Sequence, residues 1–553
     1  MQPHSTHLPQ NSGARQSWAI LCGLVLAVLL MAASYYLVLP DERARTLAVN
    51  TLTLMALTVW GSVPLGSLLA WLLVRTDLPG RKPMLLALAA MLWMPLYLQA
   101  GAWQAGFGVQ GWYTLAWETS AWLTGWWAVV WIHSLAALPW VVMIVGGGLW
   151  LVEPELEEQA LLDGSLWQVF WQVTLRRAWP AAVAAVFWVA LSCGQEMTVT
   201  DLFQIRTYAE ELYTQYAAEP DQGALTLLPG LALAGWLAML GVVASAMLIA
   251  PSRRVSTRPR ITFQLGHWKG PALCFVLLVL LVVWGVPVGN LLYKTGLVVT
   301  ADEAGFHRSW SLLACLKMLA SPLVTWNPDE GLALGEYVQS MFWTFLVGLC
   351  AAVLAVGVSA PLAWWAKSGG WKSWPVWCIA GCLLGVPGPA VGLTAIRVFN
   401  WPPLLMLYEF VGLDLYSHSI IPLVIVQAMR GLPLVLLMLT YVFHAVPRSV
   451  LEISAGEGAS PARQLLTHGI RAYWPLVVLA GVVCQMLATA ELGATILVYP
   501  PGLELLPVQV FNALHWGQEN QVSSVCLVNM AGYVLLVCLL FRWLSHLPSR
   551  WKR

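Results

Sequence analysis

The chain has 553 residues, 59% of them hydrophobic and 10% charged, with a mean hydropathy of +0.71. A surface that apolar is not tolerated in water, which excludes a soluble globular domain and leaves a polytopic membrane protein. A net charge of +1 argues against nucleic acid as a partner, and ten scattered cysteines with no C-x-x-C and no Cys/His cluster read as core packing rather than as a metal or disulfide framework.

A helix needs roughly 20 apolar residues to cross the ~30 Å hydrocarbon core. Twelve runs qualify, near residues 18–39, 47–74, 83–103, 127–151, 179–203, 225–250, 270–294, 338–366, 375–399, 419–443, 475–499 and 523–545. The first leads directly into DERAR without a small-residue cleavage pattern, so it reads as an uncleaved helix. With the N-terminus cytoplasmic, twenty of the 28 Lys and Arg fall in cytoplasmic loops and tails, seven fall outside, and Arg430 lies within a span. The positive-inside rule therefore predicts cytoplasmic N- and C-termini in the plasma membrane. The segment WYTLAWETSAWLTGWW, between the third and fourth spans, reads as an aromatic belt at the membrane interface.

The same landmarks occur twice. Pro139 precedes Glu158 by 19 residues, and Pro433 precedes Glu452 by 19; Pro180 precedes Glu196 by 16, and Pro475 precedes Glu491 by 16. Trp71 precedes Pro95 by 24 and Trp364 precedes Pro387 by 23. The expected fold class is thus an all-α polytopic membrane protein of about 12 transmembrane helices, arranged as two parallel six-helix repeats able to enclose a pathway. The expected units are 1–250, with a polar loop at 153–178; a linker at 251–269; and 270–553, with its loop at 444–474.

Each polar loop falls between the fourth and fifth spans of its half. ELEEQALLD (155–163) favours a helix, Gly164 breaks it with a residue able to take positive φ, and LWQVFWQVTL resumes helical spacing. A short helix, a turn and a second helix lying across the membrane mouth are expected, with Leu161, Leu162, Val169 and Phe170 as an apolar face for a partner's groove. Glu153, Glu155, Glu157, Glu158 and Asp163 make the loop acidic, which predicts a basic rim on that partner.

The E-x-A-x-x-x-G of residues 158–164 resembles the cytoplasmic EAA loop of type I ABC importer permeases, and EISAGEGASPARQLL (452–466) is similar to a weaker version of it. NTLTLMALTVWGSVPLGSLLAWLLVRTDLPGRK (50–82) also resembles the opening of that family's permease unit. The resemblance implies coupling helices that dock on a cytoplasmic ABC ATPase dimer through Glu158, Ala160 and Gly164 in the first half and Glu452 and Gly458 in the second. It implies further an extracytoplasmic binding protein that delivers substrate, and no cofactor in this chain, ATP and Mg being held by the ATPase. Gln159, Ile453 and Ser454 depart from the family's alanines, and Arg176 and Arg471 stand where its later proline is usual. No G-x-x-x-x-G-K-[ST] occurs, nor any His pair at metal-ligand spacing, so the chain reads as a transport subunit and not as an enzyme.

Glu196 and Glu491 occupy equivalent places in the fifth spans. Ionisable groups within a membrane face the bundle interior or water, so the pair reads either as flanking the translocation pathway or gate, or as capping and pairing with neighbouring helices. Arg430, whose counterpart is Ala136, is the candidate partner. FQIRTYAEELYTQYA (203–217) and VYPPGLELLPVQVFNALHWGQENQV (498–522) are similar to the fused two-unit permeases of the ferric iron branch, allied to thiamine and polyamine permeases, which implies ferric iron as substrate. Tyr208, Glu210, Tyr213 and Tyr216 read as a docking surface for the binding protein or, less directly, as iron ligands. The rival class is an ion-gradient-driven secondary transporter, which would need no ATPase and would leave the paired loops unexplained; a non-transport scaffold is more remote.

Overall fold

The computed structural model describes residues 42–218, 260–302, 305–327, 331–367, 374–411 and 419–546. The runs at 18–39 and 225–250, and most of the linker, lie outside them. The ten other expected runs are helical: seven are single helices long and apolar enough to cross a membrane, and three are bent pairs.

In the first half, α1 (Glu42–Arg75) carries an acidic residue in its first turn and a basic one in its last, as the helix dipole favours. The run at 83–103 is not one straight span. It divides into α2 (Arg81–Met91) and α3 (Leu96–Phe107), and the chain turns by 100° between them. Pro95 causes the break, since it lacks an N–H and pushes Met94 out of helical geometry. There follow α4 (Gly125–Trp150), the polar helix α5 (Pro154–Asp163), α6 (Leu166–Gly194), and the short helices α7 (Thr198–Leu202) and α8 (Tyr208–Ala218).

The second half begins with α9 (Gly266–Thr295). The stretch after it forms two antiparallel hairpins that the helical reading did not foresee: β1 (Leu297–Asp302) pairs with β2 (Gly305–Trp310), and, beyond α10 (Leu312–Ala320), β3 (Val324–Asn327) pairs with β4 (Gly331–Leu334). Then come α11 (Glu336–Ala366) and a second bent pair, α12 (Trp374–Gly385) and α13 (Gly388–Phe399), turned by 108° at Pro387. The chain continues through α14 (Ile421–His444), α15 (Arg448–Gly456), α16 (Pro461–Ile470), α17 (Trp474–Ala490), α18 (Thr495–Val498), α19 (Leu506–His515) and α20 (Glu519–His546).

Helices α1, α4 and α6 pack pairwise around one apolar core, and α11, α14 and α17 do the same around another. These are equivalent helices of the two halves. The halves also interlock: α9 packs on α3 and α20, with Asn290 Nδ2 donating to Ala102 O at 3.2 Å and Trp284 Nε1 to Ala87 O at 3.0 Å. Trp103, Phe107, Trp122, Trp127 and Trp131 form a connected aromatic cluster in which Trp122 and Trp127 stay exposed, as an interface belt requires.

At the loop end of the first half, Arg75 and Glu157 form an ion pair whose side chains are both fully buried. Arg75 also donates to Leu149 O at 3.3 Å, and Thr174 Oγ1 donates to Glu157 at 2.6 Å, so one cluster fastens α5 to α1, α4 and α6. Losing one partner of such a pair strands a buried charge at a cost of about 3–5 kcal/mol, whereas replacing both by apolar groups is close to neutral. Arg75→Met should lower unfolding stability in detergent by about that amount, and Arg75→Met with Glu157→Leu should recover most of it. Equal losses in the single and double variants would contradict the pairing.

Candidate functional site: two docking loops and a central cavity

The loop after α4 forms the expected helix and turn, but the second helix does not lie across the membrane mouth. It runs without interruption into the fifth span as α6, through a π-type segment at Phe170–Thr174. Ser165 caps its start: its Oγ accepts from Gln168 N, and Gln168 Oε1 accepts from Ser165 N at 2.8 Å. In the second half the equivalent helix α16 is bent by 84° from α17 at Arg471–Tyr473, which is the geometry expected of both.

Gly164 is extended, φ −150°, rather than in the positive-φ region that its sequence position predicts. Gly458 does adopt φ +83° and needs glycine on that account. Glu158, Glu452 and Gly458 are exposed and Ala160 is half-buried. Val169 is buried, and Phe170 stacks against Trp167 and packs on Trp71 and Phe263, so neither joins the outward face. The apolar groups offered outward are Leu162, Leu166, Trp167 and Trp171 on the first loop and Val450, Ile453 and Leu466 on the second. Glu157, buried on Arg75, is likewise withdrawn from the acidic rim.

The fifth spans end sooner than the sequence predicts. Helix α6 stops at Gly194 and α17 at Ala490, so Glu196 and Glu491 stand just beyond the helices and not within them. Each carboxylate turns onto the amides that follow. Glu196 accepts from Thr198 N at 2.6 Å and Val199 N at 2.9 Å, and Glu491 accepts from Ala494 N at 3.0 Å. Both line one cavity of about 200 Å³ between the halves. Its walls include equivalent residues of each half, Ser192 and Leu487, Gln195 and Ala490, Met197 and Leu492, which places it where the two repeats meet. The helix breaks face it too: Leu96 and Leu384 are wall residues, and Leu384 O accepts from Gln195 Nε2.

The two carboxylates have different side-chain neighbours. Arg430 Nε donates to Glu491 Oε2 at 3.0 Å, and Arg430 Nη1 donates to Val386 O at 2.6 Å, across the break between α12 and α13. In the first half Ala136 stands at the Arg430 position, and Glu196 Oε2 instead lies 3.4 Å from Nε2 of His133, one turn earlier on α4. Sequence reasoning missed His133, although an ionisable residue inside an apolar run was signal enough.

Helix α8 folds back onto α1. Asn50 Nδ2 donates to Arg206 O and Tyr208 N to Thr51 Oγ1, both at 2.9 Å, while Glu211 is fully buried between Arg43 and Arg206. Tyr208 and Glu210 are buried, so they do not offer the docking surface expected of them, and the Tyr216 side chain lies outside the described residues. No group of three or more His, Cys, Asp or Glu able to hold a metal occurs among the described residues. Burial raises the Glu210 carboxyl and the Tyr213 phenol above their usual ranges.

Ten membrane-length helices or bent helix pairs, with a cavity between two equivalent helix sets, define a multi-pass helical membrane protein. No family model matches the chain. It is similar to the putative 2-aminoethylphosphonate transport system permease protein PhnV of Salmonella paratyphi A, 26% identical over 255 residues that cover 42% of this chain and 88% of that protein. The same protein of Salmonella typhimurium matches to the same extent, and that of Salmonella typhi is 26% identical over 247 residues, 41% of this chain and 86% of its own length. The similarity supports a transport-system permease, in line with the type I ABC importer resemblance of the loops, and a transport subunit rather than an enzyme.

His515 Nε2 lies 3.1 Å from Asp201 Oδ2, joining α19 to α7, and that carboxylate raises the imidazole above its usual range. A raised folded-state value stabilises the protein below the unfolded value, near pH 6.5, and the gain fades as pH rises through the folded value. Because His515 is 40% exposed, the effect should stay below about 1 kcal/mol. Unfolding midpoints measured from pH 5.5 to 8.5 should show this decline in the wild type and lose it in Asp201→Asn; an unchanged profile in the variant would contradict the assignment.

Proposed function

We propose that the chain is the transmembrane permease subunit of a type I ABC importer, with two permease units fused in one polypeptide. The observation that carries this reading is the similarity to PhnV, in which less than half of this chain spans most of a transport permease. The recurrence of α1, α4 and α6 as α11, α14 and α17 supports two such units, 1–250 and 270–553, joined through 251–269. In this reading a cytoplasmic ABC ATPase dimer, which holds the ATP and Mg, docks on α5 and α15 by way of Glu158, Ala160, Gly164, Glu452 and Gly458. A binding protein delivers the solute on the opposite side, and the termini lie in the cytoplasm. The cavity between Glu196, Glu491 and Arg430 is then part of the pathway or its gate.

The favoured substrate is a small organic solute. Ferric iron, which the outer-loop resemblance implies, has no support from α8, folded back onto α1, or from the relatives, which are named for 2-aminoethylphosphonate. Cells lacking the chain should lose uptake of such a solute and regain it with the wild-type chain, whereas Glu491→Gln at equal membrane abundance should restore no more than about a tenth of the rate, a loss near 1.4 kcal/mol. Full uptake by Glu491→Gln would remove that residue from the pathway.

A further inference from the structure

The stretch between α9 and α11 takes no part in the docking loops or in the cavity. Its first hairpin leaves α9 directly: Ser311 N donates to Gly296 O at 2.9 Å, and the Trp310 indole occupies the space that a Cβ at Gly296 would need. Helix α10 then folds onto α9 and α20, with Ser311 capping its start and Cys315 buried beneath it. Its nine residues span about 14 Å, less than half of a hydrocarbon core, so α10 does not cross a membrane.

The neighbours of α9 fix the level at which α10 lies. At the start of α9, Lys269 Nζ stands 2.6 Å from Asp77 Oδ2, two residues past the Arg75 that fastens α5. Helix α9 is 30 residues long and apolar, so its far end, and α10 with it, lies at the end of the bundle remote from the polar loop. That end carries the aromatic belt. Trp112 Nε1 donates to Asn290 Oδ1 at 3.1 Å, the Trp112 and Tyr293 rings are 4.5 Å apart, and Arg308 Nη1 of β2 donates to Leu115 O at 3.1 Å. Belts of Trp and Tyr sit at headgroup level, and these contacts hold the hairpin and α10 there.

The outward face of α10 is apolar and bordered by charge. Leu312, Leu313 and Leu316 are 62%, 63% and 56% exposed. At 3.6 residues per turn they share an arc of about 100°, turned away from Cys315, and the exposed Lys317 borders it about 40° beyond Leu313. Three leucines open to water are costly. Beside them stands the exposed apolar side of α9, with Cys315 Sγ 4.0 Å from Leu292 O and Leu292 itself exposed, a side that a membrane span turns to lipid. From Gly305 to Pro328 the chain has His307, Arg308 and Lys317 and no carboxylate. An apolar helix face with cations at its border fits the headgroup boundary of an anionic bilayer.

We propose that α10 is an interfacial anchor seated in anionic phospholipid, with Leu312, Leu313 and Leu316 in the acyl region and Lys317 and Arg308 at the phosphates. The seat needs neither an ATPase nor a solute, so it stands apart from the importer reading.

The test uses the full chain in nanodiscs of mixed phosphatidylcholine and phosphatidylglycerol, with the photo-cross-linking residue p-benzoyl-phenylalanine in place of Leu313 and mass spectrometry of the adducts. Phospholipid adducts should dominate, and phosphatidylglycerol should exceed its share of the bilayer about fivefold, the preference that one surface cation confers. Lys317→Glu should remove that excess and keep the phospholipid adducts. Thermal unfolding midpoints identify a variant that has failed to fold and supply a second readout: phosphatidylglycerol should raise the wild-type midpoint in detergent more than phosphatidylcholine does, and Lys317→Glu should lose the difference. A cross-link chiefly to a second copy of the chain, a cross-link chiefly to another protein in native membranes, or no adduct would overturn the seat. Phospholipid adducts in mere proportion to the bilayer would overturn its anionic preference. Solute uptake dependent on an ATPase would uphold the importer reading in each of those cases, and its loss would leave the lipid adducts unchanged.

Discussion

A carboxylate withdrawn from water must be met by hydrogen bonds or opposite charge, and this demand shapes the centre of the molecule. Glu196 and Glu491 satisfy it by standing where a helix has just ended, so that the first amides of the next turn point at them. Ending α6 and α17 there also frees the chain to form the short helices α7 and α18 and to open a cavity at the junction of the halves whose mostly apolar wall carries Glu196, Glu491 and Arg430. The break at Pro387 brings two further backbone carbonyls, Leu384 O and Val386 O, to the same place, and Gln195 and Arg430 take them up. Irregular backbone at membrane depth is tolerated where it lines a cavity, and here it does.

The halves share this plan but differ in execution. In the first, α6 is one continuous helix from the polar loop to the cavity, through a π segment and past Pro180, and the buried Arg75 and Glu157 pair fastens its loop to α1. In the second, the chain bends by 84° between α16 and α17, Leu451 stands where Glu157 would be, and Lys367 instead donates to Val446 O at 2.8 Å. The path from α5 to Glu196 thus follows one continuous helix, whereas that from α15 to Glu491 crosses a bend of 84°.

Much of this was legible in the sequence. Apolar runs located the seven membrane-length helices and three bent pairs of the described residues, because their length and composition leave a membrane helix no alternative. The matched spacings of Pro139, Glu158, Pro433 and Glu452 exposed the repeat, and Arg430 was singled out as a partner for a glutamate. What escaped was backbone geometry set by contacts distant in sequence. Hydropathy does not register a 100° turn at Pro95 when both arms are apolar, nor the end of α6 before Glu196. Gly164 and Gly458 align in sequence yet adopt different φ, since the turn around each is fixed by its own neighbours: Gln168 reaching back to Ser165 in one, and a left-handed residue closing α15 in the other. His133 was overlooked because its counterpart, Gln427, carries no charge and the repeat alone drew no attention to it.

The most direct test of the importer account is to purify the tagged chain from native membranes in mild detergent and identify what accompanies it by mass spectrometry, for the wild type and for a chain with Leu162→Glu and Gly458→Trp. The account predicts an ATPase bearing a phosphate-binding loop with the wild type and its loss from the variant, the cavity and its charges being untouched. Recovery of no ATPase with either chain would contradict the account and favour a transporter driven by an ion gradient.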